Sequence, residues 1–164
     1  MNRIIITAIG KDRPGLVNKI TSIISNNNGN IENSKMIKID DQFAIIINFS
    51  LLGDISSIET ELSDIKKLSF FCKKTEAEHL SEKIDKNYLI KGADDQGIID
   101  RISNYFKSKN INITEMETFI ESAPITGAPL FNMSINVKIN KTESEKIKYD
   151  LLDICKNLNL DLFN

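Results

Sequence analysis

One strand-to-helix turn occurs twice in this 164-residue chain. Gly10-Lys11-Asp12-Arg13-Pro14-Gly15-Leu16-Val17 returns, altered, as Gly92-Ala93-Asp94-Asp95-Gln96-Gly97-Ile98-Ile99, 82 positions later and without a gap. The match runs on past the turn. Leu16, Val17, Ile20, Ile23 and Ile24 fall on one face of a helix, and Ile98, Ile99, Ile102, Tyr105 and Phe106 repeat the spacing. Asn30-Ile31 returns as Asn112-Ile113 at the same offset. A repeat of this length implies two copies of one supersecondary unit, each of about 80 residues.

Periodicity gives each copy the same plan. Ile4 to Ile9 is a short apolar run rich in β-branched residues and reads as a buried central strand. Pro14 suits the first turn of the helix that follows, where a missing N–H costs nothing. Asn26-Asn27-Asn28-Gly29 stops that helix with residues that tolerate a left-handed conformation. Strands are expected over 31–39 and 43–51, joined by a tight turn at Asp40-Asp41-Gln42. Gly53-Asp54 opens a second helix, with Ile55, Ile58, Leu62, Ile65 and Leu68 along one face, and Leu68 to Lys74 reads as a fourth strand. The second copy supplies strands at Tyr88 to Lys91 and Thr114 to Ile120. Phe131 to Ile139 alternates strictly and reads as a half-buried strand, before a helix over 147–158 and a strand over 160–163. Between its second and third strands lies a longer loop, Glu121 to Pro129. The order β-α-β-β-α-β, twice, is an α+β fold of split βαβ type. We expect a first domain over 1–76, a charged linker over 77–86 and a second domain over 87–164. Units this small have marginal cores, so packing on each other or on a second chain, a homo-oligomer, is expected.

Composition narrows the function. Net charge is −2 and the pI about 5.5, against a surface that grips nucleic acid directly. Cys72 and Cys155 form no Cys-x-x-Cys, so neither a disulfide framework nor a zinc cluster is expected, and each reads as a small buried hydrophobe. The N-terminus enters a strand pattern at once, with no secretory signal, and no apolar run approaches a membrane span of about 20 residues. A cytoplasmic location with no membrane partner follows. His79, the only histidine, falls in the linker, and no Ser/His/Asp or Cys/His set is available. We therefore expect no enzyme activity, no catalytic residues, no metal site and no cofactor. The turn also lacks the Lys-Ser/Thr of a phosphate-binding loop and the three-glycine spacing of a dinucleotide site.

What the turn offers is a receptor for a zwitterion. A glycine turn entering a helix exposes backbone N–H groups at the positive end of the helix dipole, a place for a carboxylate. Gly15 and Gly97 remove the Cβ that would block approach. Asp12 and Asp94 can accept from an ammonium, and Asn30 and Asn112 offer both donor and acceptor. A plainer reading stands beside this one: the aspartates cap helices and the asparagines shape turns. The second copy departs from the first. Arg13-Pro14 becomes Asp95-Gln96 and Asn18 becomes Asp100, so three acids crowd one helix start. That weakens anion binding and suits a cation or a basic partner surface instead. The first copy is thus the expected ligand site.

Asp-Arg-Pro-Gly-Leu-Val between the first strand and helix, with Gly-Asn-Ile before the second strand, resembles the ACT domain. Two such domains in tandem, opening Ile-Thr-Ala-Ile-Gly-Lys-Asp-Arg-Pro-Gly-Leu-Val-Asn, resemble most the glycine cleavage repressor group. The same residues are similar to the regulatory end of formyltetrahydrofolate deformylases. The resemblance implies a ferredoxin-like fold and binding of a small amino acid, glycine among them, at domain interfaces. There strand one, the glycine turn and the start of strand two would meet. It carries the ligand-contacting role onto Asp12, Gly15 and Asn30, with Arg13 and Leu16 beside them, and onto Asp94, Gly97 and Asn112, with Ile98. It implies action on a partner transcription factor, with no direct nucleic-acid contact. A stand-alone regulatory subunit of an amino-acid biosynthetic enzyme is the alternative.

Overall fold

The computed structural model describes residues 2–76, 82–124 and 126–163. The chain divides into two units, Met1–His79 and Leu80–Asn164. The first contains β1 (Asn2–Lys11), α1 (Leu16–Asn26), β2 (Gly29–Ile39), β3 (Gln42–Leu51), α2 (Ser56–Ser63) and β4 (Leu68–Thr75). The second contains β5 (Ile84–Ala93), α3 (Ile98–Ser108), β6 (Ile113–Ser122), β7 (Pro129–Ile139), α4 (Ser144–Asn157) and β8 (Leu160–Phe163). Each unit is a four-stranded antiparallel sheet, ordered β2-β3-β1-β4 in the first and β6-β7-β5-β8 in the second. This is the βαββαβ, ferredoxin-like α+β fold, made twice.

The repeat holds in fine detail. Both edge strands bulge at the same place, between Ile31 and Asn33 and between Ile113 and Glu115. Gly15 and Gly97 each precede their helix in the left-handed region, at φ 84° and 82°. Gly10 and Gly92 serve packing. A Cβ on Gly10 would collide with the Lys67 carbonyl oxygen, and one on Gly92 would lie 2.8 Å from the Asn159 carbonyl. The last strand of each unit starts hard against the first.

Each core lies between the helices and one face of the sheet. In the first unit Leu16, Ile20, Ile23 and Ile24 of α1 pack on Ile4, Ile6, Phe43, Ile47 and Phe49. Each such burial contributes about 2 kcal/mol relative to exposure. In the second, Ile98, Ile102, Tyr105 and Phe106 pack on Tyr88, Ile90, Met133 and Ile135.

Four local expectations change. Pro14 lies in the turn and α1 begins at Leu16, because Gly15 in the left-handed region sets the helix start behind it. The second helix closes at Ser63. Ile65 still reaches the core, 2% exposed, through a turn in which its N–H donates to the Leu62 carbonyl at 3.1 Å. Half of the expected linker, 77–81 with His79, lies outside the described residues, and Ile84–Lys86 are already strand, paired with Val137–Ile139. The loop over 121–129 is shorter than expected, because Ser122 pairs with Pro129 and the Ala123 N–H donates to the Ala128 carbonyl at 2.8 Å. Among the described residues no helix is long and apolar enough to cross a membrane.

Candidate functional site

The first turn is built by three neighbours. The Asp12 N–H donates to the Asp41 carbonyl at 2.8 Å, which fixes the turn to the β2–β3 hairpin. The Asp12 carboxylate lies 3.1 Å from Lys38 Nζ on β2. Arg13 reaches the other way, and its Nη2 donates to the Lys66 carbonyl at 3.0 Å. A concavity of about 350 Å³ opens here, lined by Arg13, Pro14, Gly15, Leu16, Lys19, Asp64 and Lys66. No side chain caps α1 and no acid sits in its first turn. Among the described residues the Val17 and Asn18 N–H groups have no acceptor. Unused donors, a helix dipole and three cationic side chains, against the single carboxylate of Asp64, favour an anion. Lys66 and Lys19 both border the concavity, and neither stands out in the sequence. Only the fold shows this, since Lys66 comes from a distant turn.

The second turn has the same backbone and the opposite charge. The Asp94 N–H donates to the Pro129 carbonyl at 3.3 Å, and Asp95 Oδ1 accepts from the Gln96 N–H at 2.7 Å. Asp100 sits in the first turn of α3. A groove of about 800 Å³ lies between the start of α3 and the end of β6, lined by Asp94, Asp95, Asp100 and Ser103 over Ile98, Ile99, Thr118, Phe119, Ile120 and Phe131. The larger concavity is therefore at the second turn, although sequence charge favoured the first. Among the described residues no group of three or more His, Cys, Asp or Glu side chains converges to hold a metal ion.

The aspartates do not cap helices; Gly15 and Gly97 occupy the cap positions without a side-chain bond. Leu16 and Ile98 are core residues, 4% and 2% exposed, and offer a ligand only their backbone. Asn30 and Asn112 do not join their turns within a unit. The register sets Asn30 opposite Ser50, which pairs with Arg3 at the far end of β1 from Gly10. Asn112 likewise precedes Ile113, level with Val137 and Lys86. Within one unit the glycine turn and the second-strand start therefore stand at opposite ends of the sheet. α1 runs back along β1, and eleven residues at about 1.5 Å each separate its two ends by about 16 Å.

Cys155 is buried and Cys72 half-buried. Desolvation by burial pushes each thiol up to about 11, with the Glu59 charge assisting at Cys72. Neither is a poised nucleophile. Desolvation also raises Tyr105, beside an Asp150 carboxylate that accepts its hydroxyl at 3.1 Å; this contact joins α3 to α4.

Residues 2–77 match the family model of the ACT domain. A UPF0237 protein of Methanocaldococcus jannaschii is 34% identical over 67 residues, 41% of this chain and 70% of that protein. The glycine cleavage system transcriptional repressor of Escherichia coli is 25% identical over 162 residues, 95% of this chain and 85% of that protein. Among solved structures, an unknown protein from Galdieria sulphuraria shares the fold at TM-score 0.87 and 24% identity, covering 99% of this chain and 96% of that one. A candidate glycine cleavage system transcriptional repressor shares it at TM-score 0.67 and 17% identity, covering 99% and 95%. The chain belongs to the ACT-domain family, as a tandem pair of ferredoxin-like units resembling the glycine cleavage system transcriptional repressor.

Proposed function

We propose that this chain is a non-enzymatic regulatory protein of the cytoplasm that senses a small amino acid, glycine among the candidates, and modulates a partner transcription factor of glycine cleavage. One observation carries the sensing. At Gly15 an uncapped helix start with unused N–H donors opens between Arg13, Lys19 and Lys66, a setting that favours a carboxylate. The repressor assignment is supported by the name of the Escherichia coli relative, which matches 95% of the chain. Asp12 would take the ligand ammonium by exchanging its exposed Lys38 partner. Asn30, at the far end of α1, reaches the same ligand only from a second copy of the chain, so the proposal includes a homo-oligomer.

Thermal-shift screening against the twenty amino acids tests this reading. The expected result is stabilisation that grows with the logarithm of ligand concentration. A flat response to every one, glycine and serine included at millimolar levels, would overturn it. No direct nucleic-acid contact is expected of so acidic a chain, and a specific, salt-dependent gel shift by the purified protein alone would refute that.

A further inference from the structure

We propose that the groove at the second glycine turn is a docking site for a basic, apolar segment of a partner protein. The proposal does not rest on amino-acid sensing at the first turn. Its strongest support is the comparison between the two units. In the first, Lys38 stands on β2 and its Nζ lies 3.1 Å from the Asp12 carboxylate. The equivalent position of β6, 82 residues on, is Ile120. Among the described residues Asp94 therefore has no ion pair, and no Lys or Arg lines the groove. Where one unit satisfies its turn aspartate internally, the other leaves it open above a hydrophobic floor.

The side chains open to a partner on that floor are Ile99 and Ile120, with Thr118 beside them, and the rim carries Asp94, Asp95 and Asp100. Ile99 and Ile120 are 44% and 60% exposed and border the groove from its helix and strand sides, an apolar patch below the acidic rim. A free amino acid is a poor occupant, because its carboxylate would meet three like charges with no cation to receive it. A segment pairing Arg or Lys with aliphatic or aromatic side chains satisfies rim and floor together. The groove also borders β6, an edge strand whose outer backbone is unpaired within its sheet, so an extended segment can follow it.

The test is fluorescence anisotropy on the full chain, using a labelled short peptide in which arginine alternates with leucine and phenylalanine. Binding is expected, with loss when the arginines become glutamate and loss when the apolar residues become serine. Ile120→Lys installs in the second unit the pair that the first already has, and Asp94→Asn removes the open charge. Each is expected to weaken the peptide about tenfold, the scale of one lost charge contact. Ile120 lies at the surface, so the lysine variant keeps its core, and an unchanged thermal melt confirms it. Absence of binding, equal binding of the serine peptide, unchanged affinity of the Ile120→Lys protein, or displacement of the peptide by equimolar agmatine would each overturn the proposal. A flat amino-acid screen leaves this result standing, and a failed peptide titration leaves the amino-acid reading standing.

Discussion

Replacing Gly10 by alanine tests whether the repeated glycines before the turn serve packing. Gly10 pairs with Phe43 on one side and Leu68 on the other. The added methyl would strike the Lys67 carbonyl and lie 3.3 Å from the Leu68 Cα, both backbone atoms that no rotamer change can clear. Lys67 is itself in the left-handed region, at φ 60°, so the turn has little freedom to withdraw. Overpacking of this kind costs about 2–3 kcal/mol. In a unit of this size each kcal/mol moves the melting point by about 4–8 °C, so a fall of about 10–20 °C is expected. Gly92→Ala should cost somewhat less, since its nearest backbone atom, the Asn159 carbonyl oxygen at 2.8 Å, is farther off than the Lys67 carbonyl is from Gly10, and its closest contact is the Leu160 side chain, which can turn away. The assay is urea unfolding followed by far-UV circular dichroism and by tyrosine emission. All three tyrosines, Tyr88, Tyr105 and Tyr149, lie in the second unit, and the chain has no tryptophan. Gly92→Ala should therefore move the tyrosine transition, and Gly10→Ala should move the part of the dichroism that tyrosine does not follow. A Gly10→Ala protein that unfolds with the wild type would refute the close-approach argument.

Further outcomes follow from the same geometry. Gly15→Ala meets open space but keeps a left-handed backbone, so it should cost about 1–2 kcal/mol from strain alone in a denaturant titration. Asn30→Ala should leave stability unchanged within about 0.5 kcal/mol, as an exposed residue, yet weaken any amino-acid thermal shift more than Asn112→Ala does. The reverse order would assign the ligand to the other copy. Because the Cys72 thiol rises from 9.0 to about 11 on folding, mainly by desolvation, the folded state favours the proton. Its contribution is whole below pH 9 and is lost as pH rises from 9 through 11. Cys72→Ala should flatten that part of the first unit's stability profile, measured by urea melts at stepped pH.

Much of the fold was legible because it was written twice. Helix faces and strand order came from periodicity, and the 82-residue offset let each copy check the other. Element ends were less legible where backbone conformation decided them: Gly15 starts α1 behind Pro14, and Ile65 holds its core place from a turn. The run Ile4–Ile9 read as buried on both faces. Ile4, Ile6 and Ala8 are buried, while Ile9, with Ile46 of β3 and Phe71 of β4, stands 45–66% exposed. Period alone cannot separate a strand covered on two sides from one that is apolar on two sides and covered on one. At the site, charge along the chain showed that the turns differ. It could not show that Asn30 lies a helix length away from Gly15, because a spacing of fifteen residues is silent about direction until α1 is known to run back along β1.

The two turns differ less in backbone than in what stands opposite them. Both glycines adopt the same conformation, both following helices have eleven residues, and both aspartate N–H groups bond the neighbouring connection. The electrostatics are set by side chains that arrive from elsewhere. In the first unit Lys38 neutralises Asp12, and Lys66 joins Arg13 and Lys19 at the concavity beside Gly15. In the second, Ile120 leaves Asp94 open and Asp100 adds a charge of the same sign. A duplicated receptor under one constraint would keep the charges facing its turns as closely as it keeps its glycines. Here the glycines are retained while the lysine facing the turn aspartate is replaced by Ile120, so the shared backbone is held by the fold and the charge at each turn is set separately.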